Sequence, residues 1–189
     1  MEALGKLFGS LARVKVMKLF LFNEDTIFTK KEVSKRSKVS QSVTSKEINL
    51  LVKSGLLKKR KAGFFLNRSF HFLNPIKELL MYSAPMNEKE ISKRLSGIGK
   101  VKAVVVSGVF IQEPESRLDI LVVGDDISQN RLKTVIGNME SEIGRELKFA
   151  SLETSDFKYR QGVCDRLVRD VFESPHKVVV DKVGIEYAR

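Results

Sequence analysis

Apolar residues recur at three- and four-residue intervals from the start of the chain: Leu4, Leu7, Phe8, Leu11, Val14, Met17, Phe20 and Leu21. That spacing predicts one face of a long amphipathic helix. After the polar break Asn23-Glu24-Asp25, the tetrad Thr29-Lys30-Lys31-Glu32 has the form of a capping box and predicts a short second helix ending near Ser37. Lys38-Val39-Ser40 is a tight link. A third helix is predicted from Gln41 to Ser54, stopped by Gly55. The pair of helices with a short turn is a helix-turn-helix arrangement.

On a wheel of 100° per residue, Ser42, Ser45, Lys46, Asn49 and Lys53 share one side of the third helix, with Val43, Leu50 and Leu51 opposite and Ile48 and Val52 flanking. Hydroxyls, an amide and cations bond phosphates and base edges, and no carboxylate on that side repels them, because Glu47 is turned toward the core. Next, Leu56-Leu57 opens a strand, Lys58-Lys59-Arg60-Lys61 is a run of cations, Ala62-Gly63 makes a turn and Phe64-Phe65-Leu66 returns. A β-hairpin with a basic tip placed there can hold flanking phosphates while the helix enters the major groove. Asn74-Pro75 starts another helix, with Pro75 as its first residue and Ile76, Leu79, Leu80 and Tyr82 on its apolar side.

Ala84-Pro85 marks a boundary between domains 1–85 and 86–189. Beyond it the pattern alternates: helix 88–95, strand 101–110, strand 118–123, helix 128–147, strand 148–152, helix 155–173 and strand 177–180. The expected class is α+β, with a small mixed sheet covered by helices in the second domain.

Charge sharpens this division. Residues 1–85 carry 17 Lys+Arg against 6 Asp+Glu, and residues 86–189 carry 17 against 17, so the whole net charge of +11 belongs to the first part. A basic first half suits a polyanionic partner. The apolar runs are far shorter than the ~20 residues that span a bilayer, and no signal-peptide pattern is found, so a cytoplasmic protein with no membrane association is expected. One cysteine, Cys164, and two histidines exclude an intramolecular disulfide and a cysteine-rich zinc site; Cys164 is read as a packing residue. Phe110 and Phe149 are read as core rather than as a pocket lining.

The stretches GSLARVKVMKLFLF and SQSVTSKEINLLVKSGLL with the basic hairpin resemble the winged helix-turn-helix of ArsR-type prokaryotic regulators. VVVSGVF, SRLDILVVGDD and LETSDFKYRQGVCDRLVRDVFESPHKVVV resemble the small nucleotidyltransferase domains fused to such winged helices. Together the two cover nearly the whole chain. The second resemblance implies a Gly-Ser turn for a triphosphate and two aspartates, two apart on a strand, for Mg²⁺. Here Gly108 matches the glycine, Val109 stands at the serine, Asp119 matches the second aspartate and Arg117 replaces the first. The intervening loop is short and carries Glu113 and Glu115 in place of glycine and arginine. Pairing Asp119 with position 121 instead meets Leu121, and the candidate third carboxylate is Glu153.

The resemblance therefore implies a vestigial site at Gly108, Arg117 and Asp119, with no catalytic residue, no metal and no cofactor. The expected function is a homodimeric regulator binding double-stranded DNA through Ser42, Ser45, Lys46, Asn49, Lys53, Lys58, Lys59, Arg60 and Lys61. Its second domain would serve dimerisation, sensing of a ligand such as a nucleotide, or partner binding. The alternative is an enzyme using Mg²⁺ and a nucleoside triphosphate to modify a small molecule, protein or RNA.

Overall fold

The computed structural model describes residues 2–82, 86–113 and 116–185. The boundary expected at Ala84-Pro85, the side chain of Tyr82 and Glu115 lie outside the described residues. The chain divides into two compact units, Met1–Ser83 with Gly137–Glu146, and Ala84–Ile136 with Leu147–Arg189.

In the first unit the apolar stripe forms two helices rather than one, α1 (Glu2–Leu7) and α2 (Leu11–Leu21). The break has a local cause: Gly9 takes φ +74° and the Ser10 side chain accepts the Arg13 N–H, capping α2. The stripe is accordingly interrupted, and Leu7 and Leu11 are exposed. Helix α2 is the centre of the unit, with Val14, Val16, Met17, Leu19, Phe20 and Leu21 all buried. Lys18 is buried too, and burial holds its ammonium below the ordinary lysine range while the Glu142 charge pulls the other way.

Helix α3 (Lys30–Ser37) has the full capping box expected of Thr29 and Glu32: the Thr29 N–H donates to Glu32 Oε2 at 2.7 Å and the Glu32 N–H to Thr29 Oγ1 at 3.3 Å. Lys38, left-handed at φ 52°, ends it and turns the chain toward α4 (Gln41–Lys53). Gly55, at φ +85°, follows α4 and leads into strands β1 (Leu57–Arg60) and β2 (Gly63–Leu66). They pair antiparallel with Arg60 opposite Gly63, so Lys61 and Ala62 make the turn, one residue earlier than expected.

Gly63 is required where it stands. A Cβ there would lie 2.5 Å from the Phe28 carbonyl oxygen, and its φ of +147° is strained for any other residue. This close approach lets Phe28 bridge Phe64 through two backbone hydrogen bonds, 2.9 and 2.8 Å, extending the hairpin by a third short segment. Helix α5 (Leu73–Tyr82) starts two residues before Pro75, which falls within the first turn, where a missing N–H costs no helical bond. Leu73 and Leu80 are buried; Leu79, expected on the apolar side, is 44% exposed.

The second unit contains α6 (Glu88–Leu95), β3 (Lys100–Val106), β4 (Ile120–Asp125), β5 (Phe149–Leu152), α8 (Thr154–Gly162), α9 (Arg166–Glu173) and β6 (Lys177–Asp181). Helix α7 (Gln129–Ile143) starts in this unit and ends in the first. The sheet order is β5-β4-β3-β6, with β4 and β5 parallel and the other pairs antiparallel, so the sheet is mixed and the class α+β. Ala103, Val105, Leu121 and Val123 form one core with Phe157, Val168, Val171 and Phe172 of α8 and α9. Their neighbours Val104, Val106, Ile120 and Val122 point the other way and are also buried.

Beyond shifts of one or two residues, such as β4 at Ile120–Asp125 instead of 118–123, three boundaries differ from expectation. Strand β3 stops at Val106 and the chain makes a 3-10 turn at Gly108–Phe110. Helix α7 ends at Ile143, before Gly144 at φ +92°. The long last helix is two, because the Asp165 side chain accepts the Leu167 N–H at 3.0 Å and caps α9 separately. Cys164 stands in that break at φ 51° and is exposed, so it is not a packing residue. Phe110 and Phe149 are half-buried. Among the described residues no helix is long and apolar enough to cross a membrane.

Candidate nucleic-acid interface

Helix α4 buries Thr44, Glu47, Ile48 and Leu51 and turns Ser42, Lys46, Asn49 and Lys53 outward; Ser45 is half-buried at the margin. The core seam is rotated from the one expected. Val43 (37% exposed) and Leu50 (40%) stand on the outer side, flanking the polar residues, and Ile48 lies at the centre of the seam.

Polar partners fix that rotation. Thr44 Oγ1 donates to the Val39 carbonyl at 3.3 Å, and that carbonyl also accepts the Ser34 hydroxyl at 2.6 Å, tying α4 to the turn before it. Glu47 faces inward as expected, where its Oε2 accepts Arg13 Nε at 2.8 Å; Arg13 also donates through Nη1 to the Phe8 carbonyl at 2.6 Å. The inward carboxylate is therefore matched by an inward cation, which leaves the outer side of α4 without negative charge.

Lys58, Lys59, Arg60 and Lys61 are all exposed, from β1 into the turn. The Arg60 guanidinium lies 4.4 Å from the Phe65 ring centroid, which supports it without neutralising it. Among the described residues neither these four nor Lys46 and Lys53 have a carboxylate partner. Lys30 and Lys31, at the exposed start of α3, are two further cations that the sequence reading did not single out. Among the described residues Lys30 and Lys31 have no carboxylate partner either, and the Lys30 ammonium lies 5.9 Å from the Phe64 ring centroid.

The Gly108–Asp119 site has a different chemistry. Asp119 is 3% exposed, and both carboxylate oxygens are occupied: Oδ1 accepts the Val109 N–H at 2.9 Å and Oδ2 the Lys148 N–H at 2.8 Å. Gly108, at φ +56°, is what lets the turn close on it, since a Cβ there would lie 2.1 Å from Asp119 Oδ1. The other amides of the turn are used internally as well. Gly108 N–H donates to Ser116 Oγ at 3.1 Å, Phe110 N–H to the Ser107 carbonyl and Ile111 N–H to the Gly108 carbonyl. The four amides from Gly108 to Ile111 are thus all bonded within the protein.

Arg117 turns outward and pairs with Asp170 at 2.5 Å. Glu153 is exposed at the start of α8, five residues and the whole length of β5 beyond Lys148, the residue whose amide Asp119 holds. At ~3.3 Å per residue that is roughly 16 Å from the Asp119 end of the strand, so Glu153 does not join Asp119. These donors do not fit Mg²⁺ with a nucleoside triphosphate: the one buried carboxylate is spent on two amides, the residue two before it is a cation, Arg117, and among the described residues no group of three or more His, Cys, Asp and Glu could hold a metal ion.

No family model, curated protein or solved structure matches this chain.

Proposed function

We propose that the chain is a DNA-binding transcription regulator whose first unit is a winged helix-turn-helix. In this reading α4 enters the major groove and the β1–β2 hairpin is the wing. The observation that carries it is the outer side of α4 and the hairpin: Ser42, Lys46, Asn49, Lys53 and Lys58 to Lys61 are exposed, while the single carboxylate of α4, Glu47, is turned inward onto Arg13. Lysines without carboxylate partners bind phosphates by displacing condensed counterions, and an asparagine and a lysine at the middle of the exposed face can reach base edges. Ser45, half-buried, is placed for a phosphate rather than a base. Two copies reading symmetric half-sites match the usual operator, so a homodimer belongs to the proposal.

The second unit is, in the same proposal, a nucleotidyltransferase-like fold that works without transfer chemistry, in dimerisation, ligand sensing or partner binding. The internal use of Asp119 and of the turn amides supports this. Function lives in sites rather than in folds.

The test is fluorescence-anisotropy binding to a pool of genomic duplex fragments across a salt series. A regulator binds a few fragments tightly at physiological salt. Lys46→Ala and Asn49→Ala then weaken those fragments more than random DNA, and changing Lys58 to Lys61 together to Ala flattens the log–log salt slope by about 0.9 per lost phosphate contact. Weak binding to all fragments, abolished by salt, refutes sequence-specific regulation.

A further inference from the structure

Within the first unit, a cavity of about 520 Å³ lies between the segment leading into α3, α3 itself, and residues 137–146. Its size is that of a small-molecule site, for which ~300–1,000 Å³ is usual. Ile27, 38% exposed, supplies most of the apolar surface, and Leu19 and Phe28, each 3% exposed, add only a little. The Arg36 guanidinium lies over the Phe28 ring, 5.4 Å from its centroid, and is held there by Glu146.

The charges around this surface are unevenly committed. Glu32 is locked into the cap of α3 by Thr29, and Glu146 is taken by Arg36. Glu140 is not free either, and Lys38 holds Asn138 Oδ1 at 2.7 Å. Lys35 and Arg145 also line the cavity, and among the described residues neither has an ion-pair partner. The uncommitted charge lining the cavity is therefore positive, one cation from α3 and one from just after α7.

From this we infer that the cavity binds a small amphipathic anion, with an apolar body resting mainly on Ile27 and a carboxylate, sulfonate or phosphate group held by Lys35 and Arg145. Burial of the body supplies the affinity, and the two cations select the charge. The inference stands whether or not the basic face of the unit binds DNA. Gly137 also lines the cavity, and a Cβ added there meets only the ends of flexible side chains, Lys38 Nζ at 3.3 Å and Cε at 3.6 Å and Glu140 Oε2 at 3.9 Å, as its three nearest atoms. A larger side chain at 137 fills space that the ligand needs, and it replaces a glycine inside a helix, which favours folding.

The probe is anilinonaphthalene sulfonate, an aromatic body with one sulfonate, titrated into the full chain and followed by its fluorescence. Saturable binding of one dye per chain is expected, with neutral phenylnaphthylamine at least tenfold weaker. Gly137→Leu should weaken the sulfonate about tenfold with the thermal transition kept or raised, and Lys35→Glu with Arg145→Glu should do the same. Three results would overturn the inference: no saturable binding up to millimolar dye, equal binding of the neutral analogue, or Gly137→Leu binding like the native chain. The comparison of the two dyes needs no variant, so it decides even if the charge-reversed protein fails to fold.

Discussion

Replacing Asp119 by Asn separates a carboxylate that holds the fold from one kept for chemistry. The side chain is 3% exposed and accepts two backbone N–H groups, from Val109 at 2.9 Å and Lys148 at 2.8 Å. The amide of Asn has one oxygen and one NH₂, so one of these N–H groups would face a donor. A hydrogen bond to a charged acceptor contributes roughly 1.5–3 kcal/mol, and a buried donor left unpaired costs roughly 1–3 kcal/mol. Asp119→Asn should therefore destabilise the second unit by about 2–3 kcal/mol. Asp119→Ala, which strands both amides, should cost about 3–5 kcal/mol. Urea denaturation followed by circular dichroism measures this, with the transition of the second unit fitted separately, because two units need not unfold together. A carboxylate kept apart to bind a cation is repelled by its surroundings when the cation is missing, and its amide variant is then as stable as the native chain or more so. If Asp119→Asn stays within about 0.5 kcal/mol of the native chain, the size of an unremarkable surface change, the structural account of Asp119 is wrong.

Other substitutions probe the first unit. Gly63→Ala should cost about 1–3 kcal/mol by strain at φ +147° and by forcing Phe28 away, read as a loss of stability with the hairpin amides exchanging faster; unchanged exchange would show that the Phe28 bridge does not anchor the hairpin. Glu47→Ala leaves Arg13 without its carboxylate partner in a partly buried position and should cost about 1–3 kcal/mol, with Glu47→Gln losing less; equal losses would show that only packing matters. For Lys18, whose ammonium burial holds below its ordinary range, the unfolded chain binds more protons at alkaline pH than the folded one. Its unfavourable share is complete below the folded pKa and fades as pH rises through that value, so the native chain should gain stability relative to Lys18→Met between neutral and pH ~10. A difference that stays flat with pH would contradict this.

Features governed by neighbours in sequence were legible before the fold was known. The capping box at Thr29, the stop at Gly55, the hairpin after α4 and the limits of α6 follow from residues within four positions of each other. Two helix breaks were missed although Ser10 and Asp165 are ordinary N-cap residues, because apolar spacing continued through both. The rotation of α4 was less accessible. Val43 and Leu50 read as core by residue type, but Thr44 and Glu47 occupy the seam through bonds to the Val39 carbonyl and to Arg13, 34 residues away from Glu47. Likewise Asp119 could be singled out in the sequence, while the two amides that occupy it come from a turn and from the residue before β5, which only the folded sheet brings together.

In the proposed DNA-binding role, the outward flank of α4 has a consequence for what the helix would discriminate. Val43 and Leu50 present carbon, not donors or acceptors, beside Lys46 and Asn49. In the major groove the thymine C5-methyl is the group that carbon can recognise. A duplex read by this helix would therefore be richest in A·T pairs beneath that flank, and the same duplex prepared with uracil in place of thymine would keep every hydrogen bond yet be held less tightly.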